Sequence, residues 1–162
     1  MLAIANEFAF ELIRHKLKEE HIMTIKHING DLFKIAKETD YLAHCISKDY
    51  ALGAGIAVEF QRRFRLREKL RYTDKRPGIG YNVTIGRVFN LITKEKCWQK
   101  PTYGSLENAL LSMRDYCLQY DITEIVMPRI GCGLDRLAWP EVLNTITRVF
   151  TDTECNITIC HL

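Results

Sequence analysis

Apolar and polar positions along this chain switch between a helical and a strand period, and the switches mark out its elements. From about residue 5 to 20, Phe8, Leu12, Ile13 and Leu17 recur at helical spacing with Lys and Glu between them, which predicts an amphipathic N-terminal helix. From Ile22 to Ile28 the pattern is short and β-branched and stops at Asn29-Gly30, a strand closed by a turn, with Asp31 just beyond it. Tyr41 to Ser47 is a second strand-length run. Gly53-Ala-Gly55 then leads into Ile56, Ala57, Phe60 and Phe64 on one helical face, completing a βα unit. Tyr81 to Thr93 reads as two strands joined by Gly86-Arg87, with Lys94 at the end of the second. Leu106, Ala109, Leu110, Met113, Tyr116 and Cys117 give a helix over 105–119 with one buried stripe, and Thr123 to Pro128 is a buried-type strand. Pro140 suits a first helical position before Leu143, Ile146, Val149 and Phe150, and Ile157, Ile159 and Leu162 predict a final strand. Strands alternating with helices predict a three-layer α/β domain whose ligand loops sit at the strand ends.

Composition narrows this little. The 162 residues, 47% hydrophobic and 27% charged, fit one globular core. A net charge of +3 is far from that of a dedicated nucleic-acid module, although basic residues cluster over 61–76, as a solvated helix face or as a patch for nucleic acid. The six cysteines show no C-x-x-C spacing, so free thiols are expected. Glu7 and Glu11 break any secretory pattern, and no run approaches the roughly 20 apolar residues of a bilayer span. These features predict a soluble protein of a reducing, intracellular compartment, without membrane contact.

Two glycine loops carry the chemistry. Arg129-Ile-Gly-Cys-Gly-Leu-Asp-Arg-Leu137 follows a strand, and its Gly131 and Gly133 can bring backbone N–H groups close to an anion beside the carboxylate of Asp135. Ser47-Lys-Asp-Tyr-Ala-Leu-Gly-Ala-Gly-Ile56 repeats the arrangement, so two loops could grip two phosphates of one ligand. Neither contains a Walker motif or a dinucleotide fingerprint. The five histidines, His15, His21, His27, His44 and His161, form no metal-binding pattern, and no metal or other cofactor is expected. On the residues alone, Lys94 has the alternative reading of a solvated lysine of Lys94-Glu-Lys96, Asp135 that of a helix N-terminal acid, and Asp31 that of a turn residue. Cys132 has no histidine placed as its base.

Taken together, Gly30-Asp-Leu-Phe33, Leu42-Ala-His-Cys-Ile-Ser47, Gly53-Ala-Gly-Ile-Ala57, Leu91-Ile-Thr-Lys94, Lys100-Pro-Thr-Tyr103 and Met127 to Leu137 resemble the macrodomain family. The similarity is to its terminal ADP-ribose protein glycohydrolase branch, the O-acetyl-ADP-ribose deacetylases, from about Ile25 to Leu162. The resemblance implies an α/β/α macrodomain sandwich with a central mixed sheet over 22–162, and an accessory helix over 1–21. It implies ADP-ribose as ligand, with Asp31 and the Leu32 backbone at the adenine. Ser47 with Gly53, Ala54, Gly55 and Ile56 would line the phosphates and distal ribose, facing Arg129, Ile130, Gly131, Cys132, Gly133 and Leu134, with Leu162 contributing backbone.

By the same resemblance Lys94 attacks the anomeric carbon and Asp135 relays protons, releasing mono-ADP-ribose from glutamate or aspartate esters of proteins and deacylating O-acyl-ADP-ribose. An ordinary lysine, at a pKa of ~10.4, offers little free amine at neutral pH, and neighbouring cations such as Arg129 or Lys96 are the expected remedy. The resemblance also admits a DarG-type hydrolase acting on DNA bases, and a reader that binds ADP-ribose without turnover. It implies reversal of ADP-ribosylation, with links to the DNA damage response; a monomer in nucleus or cytoplasm is the default expectation. Met23 could be an alternative start, and 65–80 matches the branch's variable region, where substrate choice is expected to reside.

Overall fold

The strands order themselves by burial. A computed structural model describes residues 2–20, 22–73 and 77–162, and of 2, 3 and 17–20 the backbone only; Leu17's side chain, His21 and the end of the basic segment therefore lie outside the described residues. The chain runs α1 (Leu2–Glu20), β1 (Thr24–Asn29), α2 (Leu32–Ile35), β2 (Tyr41–Ser47), α3 (Ile56–Phe64) and α4 (Leu66–Arg71). It continues through β3 (Tyr81–Ile85), β4 (Val88–Lys94), α5 (Tyr103–Tyr120), β5 (Glu124–Pro128), α6 (Trp139–Phe150) and β6 (Asn156–His161). The six-stranded sheet has the order β1-β6-β5-β2-β4-β3. All neighbours are parallel except β3 and β4, the hairpin read from Gly86-Arg87.

Each central strand feeds two cores, as expected of parallel strands buried on both faces. Ala43, Leu91, Met127 and Ile159 pack with α5 and α6 on one side, through Leu110, Met113, Ile146 and Phe150. Leu42, Ile46, Ile92 and Cys160 face the other side, where Leu32, Phe60, Leu66 and Leu70 bring in α2, α3 and α4. The result is the three-layer α/β/α sandwich with a mixed sheet. Helix α5 starts at a capping box in which Thr102 and Ser105 satisfy each other's backbone N–H groups.

At both ends of the chain the observed elements differ from the reading of the sequence. Ile22 lies outside β1 and is exposed, because β1 starts where it pairs with β6 at Thr24 and Asn156. β6 ends at His161, and Leu162 stands 89% exposed beyond it, off the core. Helix α1 forms, yet Ile4, Phe8, Leu12 and Ile13 stay exposed.

Buried in β2, His44 stacks on Phe60 with ring centroids 4.0 Å apart. Its Nε2 lies 2.6 Å from Asn90 Oδ1, and since Asn90 Nδ2 donates to the carbonyls of Val83 and Val88, His44 Nε2 must carry the proton. Burial lowers this imidazole to about 4, with the Asn90 bond opposing.

Candidate functional site

At one end of the sheet, β2, β4, β5 and β6 release their loops around a crevice of about 910 Å³. Its walls include Ser47, Gly53, Ala54, Gly55, Ile56, Lys94, Arg129, Ile130, Gly131, Cys132, Gly133, Leu134, Asp135 and Leu162, so the two glycine loops do face each other. Asp31 and Leu32 are not part of this wall. Asp31 caps α2, accepting from Phe33 N at 2.9 Å, and the Leu32 side chain is fully buried. Asp31 is still near enough for its charge to raise the thiol of Cys160, after burial, and Cys160 lines the crevice.

A slip in pairing delivers Lys94. Ile46 lies opposite Ile92 but Ser47 lies opposite Lys94, so β4 carries one extra residue, Thr93, at its end. Such a bulge re-aims the side chains that follow it. Lys94 Nζ donates to Asp135 Oδ1 at 2.6 Å, and both side chains are only 14–15% exposed. A short charge-assisted bond in a partly dry site is worth more than the same contact on the surface. The contact that Lys94 makes is with this carboxylate, not with Arg129. Arg129 turns away, because its Nε donates to His161 Nδ1 at 2.5 Å and its guanidinium sits 5.6 Å over the Trp139 ring. Burial, then the charges of Arg129 and His27, keep His161 below the usual histidine range.

Asp135 belongs to the loop, four residues before the start of α6 at Trp139, which displaces its reading as a helix N-terminal acid. The loop holds itself in place through Leu137 N to Gly131 O at 2.8 Å and Ile130 N to Pro128 O at 2.8 Å. Gly131 has φ +71°, and a Cβ there would come within 3.0 Å of Leu137 Cδ1, so glycine answers both the backbone angle and the packing. Lys100 Nζ adds a tie to Leu134 O.

The opposite loop is anchored by Asp49, a residue the sequence reading did not single out. It accepts from Ser47 Oγ at 2.5 Å, Ala51 N at 3.2 Å and Cys97 N at 3.1 Å, joining the loops after β2 and β4. Burial opposes its ionisation, but these bonds and the Lys96 charge prevail and hold its carboxyl below the usual range. The spacing Ser47-x-Asp49 directly after a strand was the available signal. Tyr50 and Leu52 take φ +55° and +48°, and their buried side chains fix the turn that presents Gly53 to Ile56. Gly55, at φ 59° and ψ −149°, uses a backbone region closed to other residues.

Cys45, Trp98, Lys100 and His161 also line the wall, although the sequence reading gave none of them a role in the site. Burial, and then Asp135 and Cys132, push the Cys45 thiol above its usual range, against the pull of Lys94. Burial likewise raises Cys132, against Arg129, which suits a wall residue rather than a nucleophile. Within the described part of the basic segment, Arg62 and Arg63 pair with Glu59, and Arg67 donates to Ala51 O. Among the described residues no group of three or more His, Cys, Asp or Glu could hold a metal ion, and no helix is long and apolar enough to cross a membrane.

No family model matches the chain. Human ADP-ribose glycohydrolase OARD1 is 44% identical over 140 residues, covering 85% of this chain and 91% of the relative. Among solved structures, the macrodomain of Mycobacterium tuberculosis DarG superposes with a TM-score of 0.74 at 20% identity, covering 85% of this chain and 97% of its own. Thermosipho africanus DarTG in complex with ADP-ribose gives 0.71 at 17% identity, covering 87% and 43%.

Proposed function

Because the chain belongs to the ADP-ribose glycohydrolase family that includes human OARD1, a family of hydrolases on the macrodomain fold, we propose that it cleaves mono-ADP-ribose from glutamate and aspartate esters and deacylates O-acyl-ADP-ribose. The observation that carries this reading is the Lys94–Asp135 contact inside a crevice walled by two glycine loops. A pure reader has no need of a nucleophile paired with an acid there. Residues 22–162 would hold the activity, with α1 accessory.

In this mechanism Asp135 is the general base, taking the proton of Lys94 Nζ across the 2.6 Å contact against the preference for the ammonium form that a neighbouring carboxylate creates. Nζ attacks the anomeric carbon of the distal ribose. The C–O bond to the acyl group breaks, and its electrons leave with the side-chain carboxylate, which needs no proton. Asp135 gives its proton to solvent, then takes one from the water that attacks the same carbon. The C–N bond breaks back to Nζ, and ADP-ribose leaves. The ADP-ribose complex of the Thermosipho protein supports the ligand, and the two glycine loops that wall the crevice support a place for its phosphates.

A second reading, hydrolysis of DNA-linked ADP-ribose, draws on the likeness to the DarG macrodomain. Release measured side by side on a glutamate-linked mono-ADP-ribosylated protein and on ADP-ribosylated single-stranded DNA separates the two. The ester reading expects the protein substrate to be preferred by at least about tenfold in kcat/KM, and a reversed preference would replace it with the DNA reading.

A further inference from the structure

One large side chain at the mouth of the crevice has no part in this chemistry. Trp98 is 76% exposed, yet it lines the same cavity as Lys94 and Asp135. Its loop is held on both sides: Cys97 N donates to Asp49, Lys100 Nζ to Leu134 O, and Lys96 N to Gln99 Oε1 at 2.8 Å, while Gln99 N returns to Lys96 O at 3.0 Å. The indole is thus presented to solvent by a tied loop four residues past the nucleophile. Exposing so much apolar surface has a cost, and a rigid exposed Trp is the kind of anchor that dominates binding interfaces.

From these observations we infer that Trp98 is the platform for the acceptor polypeptide, the chain whose carboxylate carries ADP-ribose, and so sets selectivity among substrates. The inference rests on the ester reading above. The modified side chain must leave the crevice at the anomeric carbon, past Lys94 Nζ, and Trp98 lines the same cavity on the loop that directly follows Lys94. Lys96 shares the loop, and its charge favours an acidic stretch around a modified glutamate. A nucleic-acid strand is tracked by successive aromatics and a continuous basic groove. Here one indole stands with Lys48, already paired to Glu95 at 3.6 Å, and Lys100, bonded to a carbonyl, so a polypeptide is the better fit.

Trp98→Ala tests this by comparing O-acetyl-ADP-ribose, which has no acceptor chain, with a glutamate-linked mono-ADP-ribosylated peptide and with ADP-ribosylated single-stranded DNA. The ratio of kcat/KM for the peptide to that for O-acetyl-ADP-ribose should fall about tenfold, mainly through KM, and Trp98→Phe should restore most of it. Equal falls on both substrates, or no fall on the peptide, would overturn the inference. A larger loss on DNA than on peptide would also overturn it and assign the platform to nucleic acid. If the parent protein does not cleave the peptide at all, the ester reading fails, but affinity still decides the platform. Trp98→Ala should then weaken the intact modified peptide about tenfold and free ADP-ribose by less than about twofold, whereas equal weakening rejects it.

Discussion

Asp135→Ala is expected to bind ADP-ribose within about tenfold of the parent affinity while losing turnover on the order of 10³-fold or more. The division follows from where Asp135 stands. Its carboxylate contacts Lys94 Nζ, not the backbone N–H groups of the loops that would hold phosphates, so its removal leaves the ligand cradle in place. Two proton transfers are lost together, the one that frees the amine and the one that activates water. Calorimetry with ADP-ribose and single-turnover release from a glutamate-linked substrate measure the two effects separately. If affinity fell a hundredfold with little further loss of turnover, Asp135 would be a ligand-holding residue.

The protein should lose about 2 kcal/mol of stability between pH 7.5 and pH 5 through His44 alone. Its imidazole is lowered from 6.5 to about 4 by burial, so across that interval the unfolded chain takes up a proton that the folded chain refuses. Stability is therefore full above pH 6.5, is lost as pH falls below it, and levels off near pH 4. Urea unfolding at the two pH values checks this, with His44→Leu as the comparison. The variant is less stable at neutral pH, since Asn90 loses a partner, but its pH dependence should be flatter by about 2 kcal/mol. An unchanged slope would show that His44 is not the group that titrates.

How far the sequence revealed this molecule depends on the element. β2 was legible to the residue because its apolar run is buried on both faces and ends at a glycine loop. The hairpin was legible from Gly86-Arg87. Helices α2 and α4 were not: α2 is one turn, Leu32–Ile35, too short for a period, and α4 offers only Leu66 and Leu70 as a buried pair amid Arg, Glu and Lys. Helix α1 was legible as a helix, yet spacing alone says nothing of what its apolar face meets, and Phe8 and Leu12 are exposed.

The site divides in the same way. The glycine loops could be read from sequence because turns impose residue types on the backbone. The contact between Lys94 and Asp135 spans 41 residues and depends on the bulge at Thr93, which no periodicity announces. Arg129 was expected near Lys94 on charge alone, but the end of β6 supplies His161 as its partner. Trp98 left no trace in the pattern, because an exposed aromatic in a polar loop breaks no period.

Lys94 as nucleophile is tested most directly by release of ADP-ribose from a glutamate-linked mono-ADP-ribosylated protein by the parent and by Lys94→Ala, over about a tenfold range of enzyme concentration, with rapid acid quench and intact-mass detection of a lysyl adduct. The parent should release ADP-ribose in proportion to enzyme and show the adduct on Lys94, while Lys94→Ala shows neither. Turnover by Lys94→Ala at the parent rate would contradict the covalent mechanism.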